Sequence, residues 1–220
     1  MIRIIFKKEL ATYFRNLNSI FLPLIFFFLI ISIFPLALGP DKVLLGKIIP
    51  GVIWVTVILT TLLTSNNFFK EDFNNGIIEL YLTSESSIEL ILFLRIISCW
   101  IFTCLPIIIF IPLVSLLFEI PFISSVIILL TLLLGTPVLI SIGLFGSALT
   151  LGISKNNILA PILIVPFYIP VLVFSASAIE SVTTGLPYDT QIYILLALLF
   201  LILPTMPYLL KYTLEFSINN

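Results

Sequence analysis

The chain has 220 residues, of which 60% are hydrophobic and 10% are charged, and its mean hydropathy is +1.29. Soluble domains are about 45–50% apolar and about 25% charged, so this composition excludes a water-soluble globule. The formal net charge of −1 offers no basic surface to a nucleic acid, and the absence of histidine excludes a histidine-ligated metal site and a Ser-His-Asp triad.

The first fifteen residues predict a helix that lies along the membrane surface. Apolar side chains recur at three- and four-residue steps from Ile2 to Phe14. Four cations fall between them: Arg3, Lys7, Lys8 and Arg15. This pattern is typical of an interfacial amphipathic helix whose cations lie among lipid headgroups. We therefore expect such a helix over residues 1–15, and no cleavable signal peptide.

Gaps between charged residues outline six membrane spans. An ionised side chain at the bilayer centre costs at least about 2.5–3.5 kcal/mol, so an uncharged apolar run of about 20 residues predicts a transmembrane helix. The predicted spans cover approximately residues 18–38, 48–69, 96–118, 125–153, 158–179 and 193–210. The expected fold is therefore an all-α integral membrane protein with one transmembrane domain over residues 1–220.

The distribution of the cations predicts how these spans are oriented in the membrane. An even number of spans places both termini on one side of the membrane. If that side is the cytoplasm, eight of the ten cations lie inside and only Lys42 and Lys47 lie outside. The inner cations are Arg3, Lys7, Lys8, Arg15, Lys70, Arg95, Lys155 and Lys211. This distribution obeys the positive-inside rule, so we expect both termini in the cytoplasm.

The longest polar interruption, residues 70–95, follows the second span and faces the cytoplasm in this orientation. Asn74, Asn75 and Gly76 predict a turn, because these residue types tolerate positive φ. A short amphipathic helix is expected after the turn, with Ile77, Ile78, Tyr81 and Leu82 on one face and Glu79 on another. An ordinary solvated loop is the alternative interpretation of this hairpin.

Proline recurs in or at the ends of the spans. The positions are Pro23, Pro35, Pro106, Pro112, Pro137, Pro161, Pro166, Pro170, Pro204 and Pro207. Each proline removes a backbone donor and is expected to kink or break its helix. The freed carbonyl needs a protein neighbour or a water-filled cavity. The prolines of the fifth span therefore suggest that it packs against protein, although proline is also generally more frequent in membrane helices.

No catalytic or nucleotide-binding motif is apparent in the chain. Six residues separate Gly39 from Gly46, where a phosphate-binding loop has four, and Ile48 stands where that loop has Ser or Thr. Cys99 and Cys104 lack the Cys-x-x-Cys spacing and are interpreted as buried packing residues. We expect a non-catalytic membrane subunit without a metal site, and we expect any ATP to be hydrolysed by another chain.

Several sequence blocks resemble known families. The hairpin pattern Gly76-x-Ile78-Glu79-x-Tyr81, followed by Glu89, is similar to the coupling segment of six-span ABC-2-type exporter subunits, which docks on a separate ATPase. Blocks in the same order along nearly the whole chain resemble the heme exporter protein B (CcmB) family. They are Phe34-Pro35-Leu36-x-x-Gly39-Pro40, Pro50-Gly51-x-Ile53-Trp54-Val55, Leu132-Leu133-Leu134-Gly135-Thr136-Pro137, Pro166-x-x-Ile169-Pro170, Phe174 and Leu186-Pro187-x-Asp189.

The resemblance implies an ABC-2-type exporter fold and a place in cytochrome c maturation. It implies an integral subunit that pairs with the ATPase CcmA, joins CcmC and CcmD, and supports release of the heme-loaded chaperone CcmE. Two copies per complex and a bacterial inner membrane, rather than a mitochondrial one, are expected. The implied ATPase contacts are Gly76, Ile78, Glu79, Tyr81 and Glu89. The implied structural positions are Pro35, Gly39, Pro40, Pro50, Gly51, Trp54, Gly135, Pro137, Pro166 and Pro170.

Heme is expected as cargo rather than as a ligated cofactor. A heme iron held through histidine would find no ligand in this chain, so axial ligation is expected on partner subunits. ATP-driven closure of the ATPases is expected to push the hairpin and repack the membrane helices. Two alternatives remain: a non-transporting scaffold of the maturation complex, and a stand-alone carrier, which would need polar groups near the bilayer midplane.

Overall fold

The apolar runs of the chain form long helices. The computed structural model describes residues 18–39, 42–66, 68–83, 87–151 and 159–219. These ranges contain eight α-helices and no strand. The helices are α1 (Asn18–Leu38), α2 (Lys42–Ser65), α3 (Lys70–Asn74), α4 (Ile77–Thr83), α5 (Ile88–Leu117), α6 (Phe122–Leu149), α7 (Leu159–Thr184) and α8 (Asp189–Asn219).

Six of these helices are long and apolar enough to cross a membrane. They are α1, α2, α5, α6, α7 and α8, and the short helices α3 and α4 lie between α2 and α5. The predicted all-α fold with six spans is thus confirmed. The interfacial helix expected over residues 1–15 lies outside the described residues, as does Pro40.

The helices extend beyond the ends of the charge-free runs. α5 begins at Ile88, whereas the run begins after Arg95, and α8 continues past Lys211. Both cations lie inside helices because each forms an ion pair with an acidic side chain. At 30 residues α5 is about 45 Å long, whereas the hydrocarbon core is about 30 Å thick. One or both of its ends must therefore project beyond the lipid tails.

The prolines do not interrupt these helices. Ten of them lie inside continuous helical segments: Pro23, Pro35, Pro50, Pro106, Pro112, Pro137, Pro166, Pro170, Pro204 and Pro207. Pro137 is buried in α6, but Pro166 and Pro170 of α7 are exposed. The fifth span does pack against protein, since α7 contacts α6, α8 and α2, but it does so through side chains such as Tyr168 and Val171 and not through Pro166 and Pro170.

Helix α6 lies at the centre of the bundle. In its apolar middle 78% of the residues are buried, against 17% in α1 and in α8. It packs on α2, α5, α7 and α8. Small residues such as Gly135, Ser141 and Gly143 lie in its buried part, and small side chains let helix backbones approach closely in lipid.

Buried hydroxyl groups in the core are mostly satisfied by their own helix. Thr56, Thr60 and Ser65 of α2 donate to the carbonyl oxygens four residues earlier, each at 2.7 Å. The hydroxyl of Tyr168 in α7 instead crosses to α6 and donates to the carbonyl of Leu139 at 2.9 Å. These bonds allow polar side chains to lie at membrane depth, where water cannot satisfy them.

Candidate functional site

The polar segment between α2 and α5 folds into two short helices joined by a tight turn. α3 ends at Asn74, and Gly76 has a φ of +67°, the left-handed conformation that favours glycine. The amide of Gly76 donates to the carbonyl of Phe73 at 3.1 Å, and α4 begins at Ile77. The turn predicted from Asn74, Asn75 and Gly76 is confirmed, and we call residues 68–83 the hairpin.

Helix α4 has a buried face and an exposed face. The side chain of Ile78 is 1% exposed and Tyr81 is half-buried, whereas Glu79 and Leu80 are exposed, Leu80 by 67%. The amphipathic helix predicted after the turn is confirmed. With Glu71, Asn74 and Asn75 of the preceding segment, Glu79 and Leu80 form the exposed hairpin face.

The buried side of the hairpin surrounds an arginine of α5. Arg95 is 7% exposed, and its Nη2 atom forms an ion pair with Oδ2 of Asp72 in α3. Its guanidinium carbon lies 4.8 Å from the ring centroid of Phe68, 5.2 Å from that of Phe69 and 5.7 Å from that of Tyr81. We call these five residues the Arg95 cluster.

The chemistry of the Arg95 cluster suits arginine in particular. A planar guanidinium can pair with a carboxylate at its edge and stack on aromatic rings with its face, whereas the ammonium of lysine is a compact, strongly hydrated charge without a flat face. Removal of one partner from a buried ion pair typically costs about 3–5 kcal/mol, because the other charge stays buried. Replacement of either Asp72 or Arg95 alone should therefore destabilise the fold.

A second ion pair ties α5 to α8. Nζ of Lys211 donates to Oε1 of Glu89 at 2.7 Å, and about a quarter to a third of each side chain is exposed. Glu89 is one of the residues expected to contact an ATPase. In the structure its carboxylate is already held by Lys211, at the first turn of α5.

The five implied ATPase contacts do not share one surface. Glu79 lies on the exposed hairpin face, Ile78 is buried, and Tyr81 lies against Arg95. Gly76 is half-buried at the turn and Glu89 is paired. The residue types alone did not single out Leu80, although it falls outside the apolar stripe of Ile77, Ile78, Tyr81 and Leu82 and could have been noticed for that reason.

The implied structural positions separate into two groups. Pro50, Trp54, Gly135 and Pro137 are buried, and Trp54 lies against Gly135 where α2 and α6 pack, whereas Gly51, Pro166 and Pro170 are exposed. Pro35 is half-buried and Gly39 follows the end of α1. With Phe28, Leu36, Leu45 and Leu117, Pro35 lines an apolar cavity of about 510 Å³ between α1, α2 and α5.

Metal-ligating and redox-active groups are sparse in the described ranges. No group of three or more Cys, Asp or Glu side chains that could hold a metal ion occurs there. Cys99 and Cys104 form no disulfide, and both are buried. The chain has no histidine, so only Tyr, Met or Cys side chains could ligate a heme iron here, and nothing in the described part distinguishes one of them.

Comparison with known proteins gives consistent matches along the chain. The family described as "CcmB protein" matches residues 1–217. The chain is 37% identical to heme exporter protein B of Haemophilus influenzae over 216 residues, 98% of each chain. It is 34% identical to heme exporter protein B of Pseudomonas aeruginosa over 217 residues, 99% of this chain and 97% of the relative. Heme exporter protein B of Escherichia coli K12 is 36% identical over 195 residues, 89% of each chain.

Proposed function

Because the chain belongs to the CcmB protein family, we propose that it is the membrane subunit of an ABC-2-type transporter complex that handles heme for cytochrome c maturation. The match along nearly the whole chain and the six apolar helices support this proposal. Proteins that share a fold can differ in function, so the proposal also requires a surface on this chain to which an ATPase could bind. The hairpin supplies one.

In this proposal a separate ATPase, CcmA, binds ATP and docks on the exposed hairpin face. The single observation that carries this step is the division of the hairpin into a buried face around Arg95 and an exposed face with Glu79 and the 67% exposed Leu80. Glu79 and Leu80 are neighbours in the chain and both exposed, so together they offer a polar and an apolar contact to a partner outside the membrane. Among the implied contacts, Glu79 is the one best placed to meet it.

The proposal extends to the remaining partners and to the cargo. CcmC and CcmD join the complex, two copies of this chain take part, and ATP hydrolysis supports release of the heme-loaded chaperone CcmE. In this proposal heme is cargo, and any histidine that ligates its iron belongs to a partner subunit, since this chain has none. The complex lies in a bacterial inner membrane, with both termini of this chain in the cytoplasm.

The orientation can be tested directly. A single cysteine at the exposed position Asn75, compared with one at the exposed position Pro187 between α7 and α8, gives labels on opposite sides if the proposal is correct. An impermeant thiol reagent applied to right-side-out vesicles should label Pro187→Cys and not Asn75→Cys. The native cysteines are buried and give no competing signal. Labelling of Asn75→Cys from outside overturns the arrangement.

Co-purification tests the docking step. Glu79→Lys and Leu80→Asp should reduce both the amount of ATPase that co-purifies and the yield of mature cytochrome c, while the amount of inserted membrane protein stays unchanged. Glu180→Lys makes the same charge change at an exposed acid near the other end of the bundle and serves as the matched control. Full ATPase recovery and full cytochrome yield in the hairpin variants would contradict the proposal.

Two further results separate the proposal from its alternatives. A non-transporting scaffold should go on working with an ATPase that binds ATP but cannot hydrolyse it, whereas a driven subunit should stop. A stand-alone carrier should purify in active form with no ATPase bound.

A further inference from the structure

The connection between the hairpin and α5 is not a continuous helix. α4 ends at Thr83, and Ser87, directly before α5, has an extended backbone with φ −60° and ψ 113°. Ser87 occupies the N-cap position of α5 but makes no side-chain hydrogen bond to cap the helix. The extended backbone at Ser87 therefore keeps α5 from continuing N-terminally as a helix.

Side-chain contacts join the hairpin to α5, and they meet at Arg95. Arg95 lies two turns inside α5 and contacts each part of the hairpin: Phe68 and Phe69 before α3, Asp72 in α3 and Tyr81 in α4. Ile78 is buried on the same side of α4. A displacement of the hairpin relative to α5 would separate a buried ion pair and uncover three aromatic faces.

The second ion pair has a different role. Glu89 and Lys211 are partly exposed and join α5 to α8. Partly exposed pairs are weak, since water and salt screen them. Glu89 and Lys211 are not among the five residues of the Arg95 cluster, so this pair cannot take over its contacts.

We propose that Arg95 is a positioning residue for coupling: by pairing with Asp72 and lying against Phe68, Phe69 and Tyr81, it makes the hairpin and α5 move as one rigid body. This inference rests on the proposed function, because it concerns how a push on the exposed hairpin face reaches the membrane helices. Arg95 itself contacts neither the ATPase nor the cargo. It acts by holding the hairpin at a fixed angle.

The first test measures coupling in the assembled complex. In Arg95→Gln and Asp72→Asn the exposed hairpin face is unchanged, so the ATPase should still co-purify and hydrolyse ATP. The amount of cytochrome c matured per ATP hydrolysed should fall below that of the wild type, because movement of the hairpin no longer reaches α5. Arg95→Lys keeps the charge but not the planar group, and it should give an intermediate ratio. An unchanged ratio in all three variants overturns the inference, as does loss of the ATPase from all three.

The second test measures the rigid body itself. Spin labels at Asn74→Cys in α3 and Ile109→Cys in α5 report the distance between hairpin and helix by pulsed electron paramagnetic resonance, and the native cysteines are buried. With wild-type Arg95 the distance distribution should be narrow and the same with and without nucleotide. Arg95→Gln should broaden it, whereas Lys211→Gln, which removes a cation outside the cluster, should not.

The outcomes of this second test are decisive in both directions. A wild-type distance that changes with nucleotide, or a distribution in Arg95→Gln as narrow as in the wild type, overturns the rigid-body inference. Failure of the proposed function is recognised separately, since no ATPase would then co-purify with the unmodified chain. If the ATPase binds and Glu79→Lys uncouples it while the Arg95 variants stay coupled, only the inference about Arg95 fails.

Discussion

The indole ring of Trp54 in α2 packs directly against the backbone of Gly135 in α6. A Cβ atom added to Gly135 would lie 2.6 Å from Cη2 of Trp54 and 2.8 Å from Cγ1 of Val171 in α7. Both distances are shorter than van der Waals contact, so the three helices can approach this closely only because Gly135 has no side chain. Trp54, the largest buried side chain of the core, thus fits at this position only because the residue opposite it is glycine.

Gly135→Ala should therefore destabilise the protein by about 1–3 kcal/mol, the usual cost of overpacking a core. A lower thermal unfolding midpoint of the purified protein in detergent measures this. Gly46→Ala in α2 is the matched control, because an added Cβ there meets no atom within 4 Å. Equal midpoints for the two variants would show that the contact between α2, α6 and α7 is looser than the structure indicates.

A second tight contact in α6 lies at Gly143, about two helical turns after Gly135. A Cβ at Gly143 would lie 2.6 Å from Oγ of Ser65 and 2.7 Å from the hydroxyl oxygen of Tyr168. Gly143→Ala should destabilise the protein, and Tyr168→Phe should do so as well by removing the hydrogen bond to Leu139.

The double variant of Gly143→Ala and Tyr168→Phe should lose less stability than the sum of the single variants, because the phenylalanine lacks one of the oxygens that the new methyl group meets. A double-mutant cycle of thermal midpoints measures this difference. Strict additivity would contradict the geometry.

The hydrogen bond between Trp100 and Thr136 joins α5 to α6. Nε1 of Trp100 donates to Oγ1 of Thr136 at 2.8 Å, and Thr136 donates in turn to the carbonyl of Leu132. Thr136→Val removes the acceptor and should cost about 1–3 kcal/mol, whereas Thr136→Ser keeps it and should cost less. Thr205→Val, at an exposed threonine bonded only to its own helix, should be nearly neutral in the same melts. The reverse order of Thr136→Val and Thr136→Ser would argue against this bond.

The pair of Glu89 and Lys211 should behave as a reversible charge contact. Glu89→Lys and Lys211→Glu each place like charges together and should lower the thermal midpoint by less than Gly135→Ala does, since both side chains are partly exposed. The combined swap should restore most of the loss, and high salt should reduce the differences. If the swapped protein is as unstable as the worse single variant, the two side chains contribute through packing and not through charge.

The spans and the turn were predictable because each has a local cause. Charged side chains are expensive in lipid, so their absence outlines the spans, and Asn74, Asn75 and Gly76 tolerate the backbone conformation of a tight turn. The amphipathic character of α4 was predictable from the spacing of Ile78 and Tyr81. None of these features depends on residues far away in the sequence.

The Arg95 cluster was not predictable in the same way. Its members are separated by up to 27 positions, from Phe68 to Arg95, and no spacing rule connects them. A lone charge normally marks the limit of a span, so the sequence predicts that the polar segment ends at Arg95. In the structure Asp72 and three rings surround it, so helix α5 continues through it. The same long-range packing buries Ile78, which the resemblance had placed among the ATPase contacts.

The central position of α6 has a consequence for biogenesis. As the ribosome feeds the chain into the membrane, α6 enters before α7 and α8, the helices that later cover much of its glycine- and hydroxyl-bearing surface. Until they follow, that surface faces lipid, where small residues leave gaps and offer poor packing. An interrupted nascent chain would thus expose to lipid a surface that the complete bundle buries.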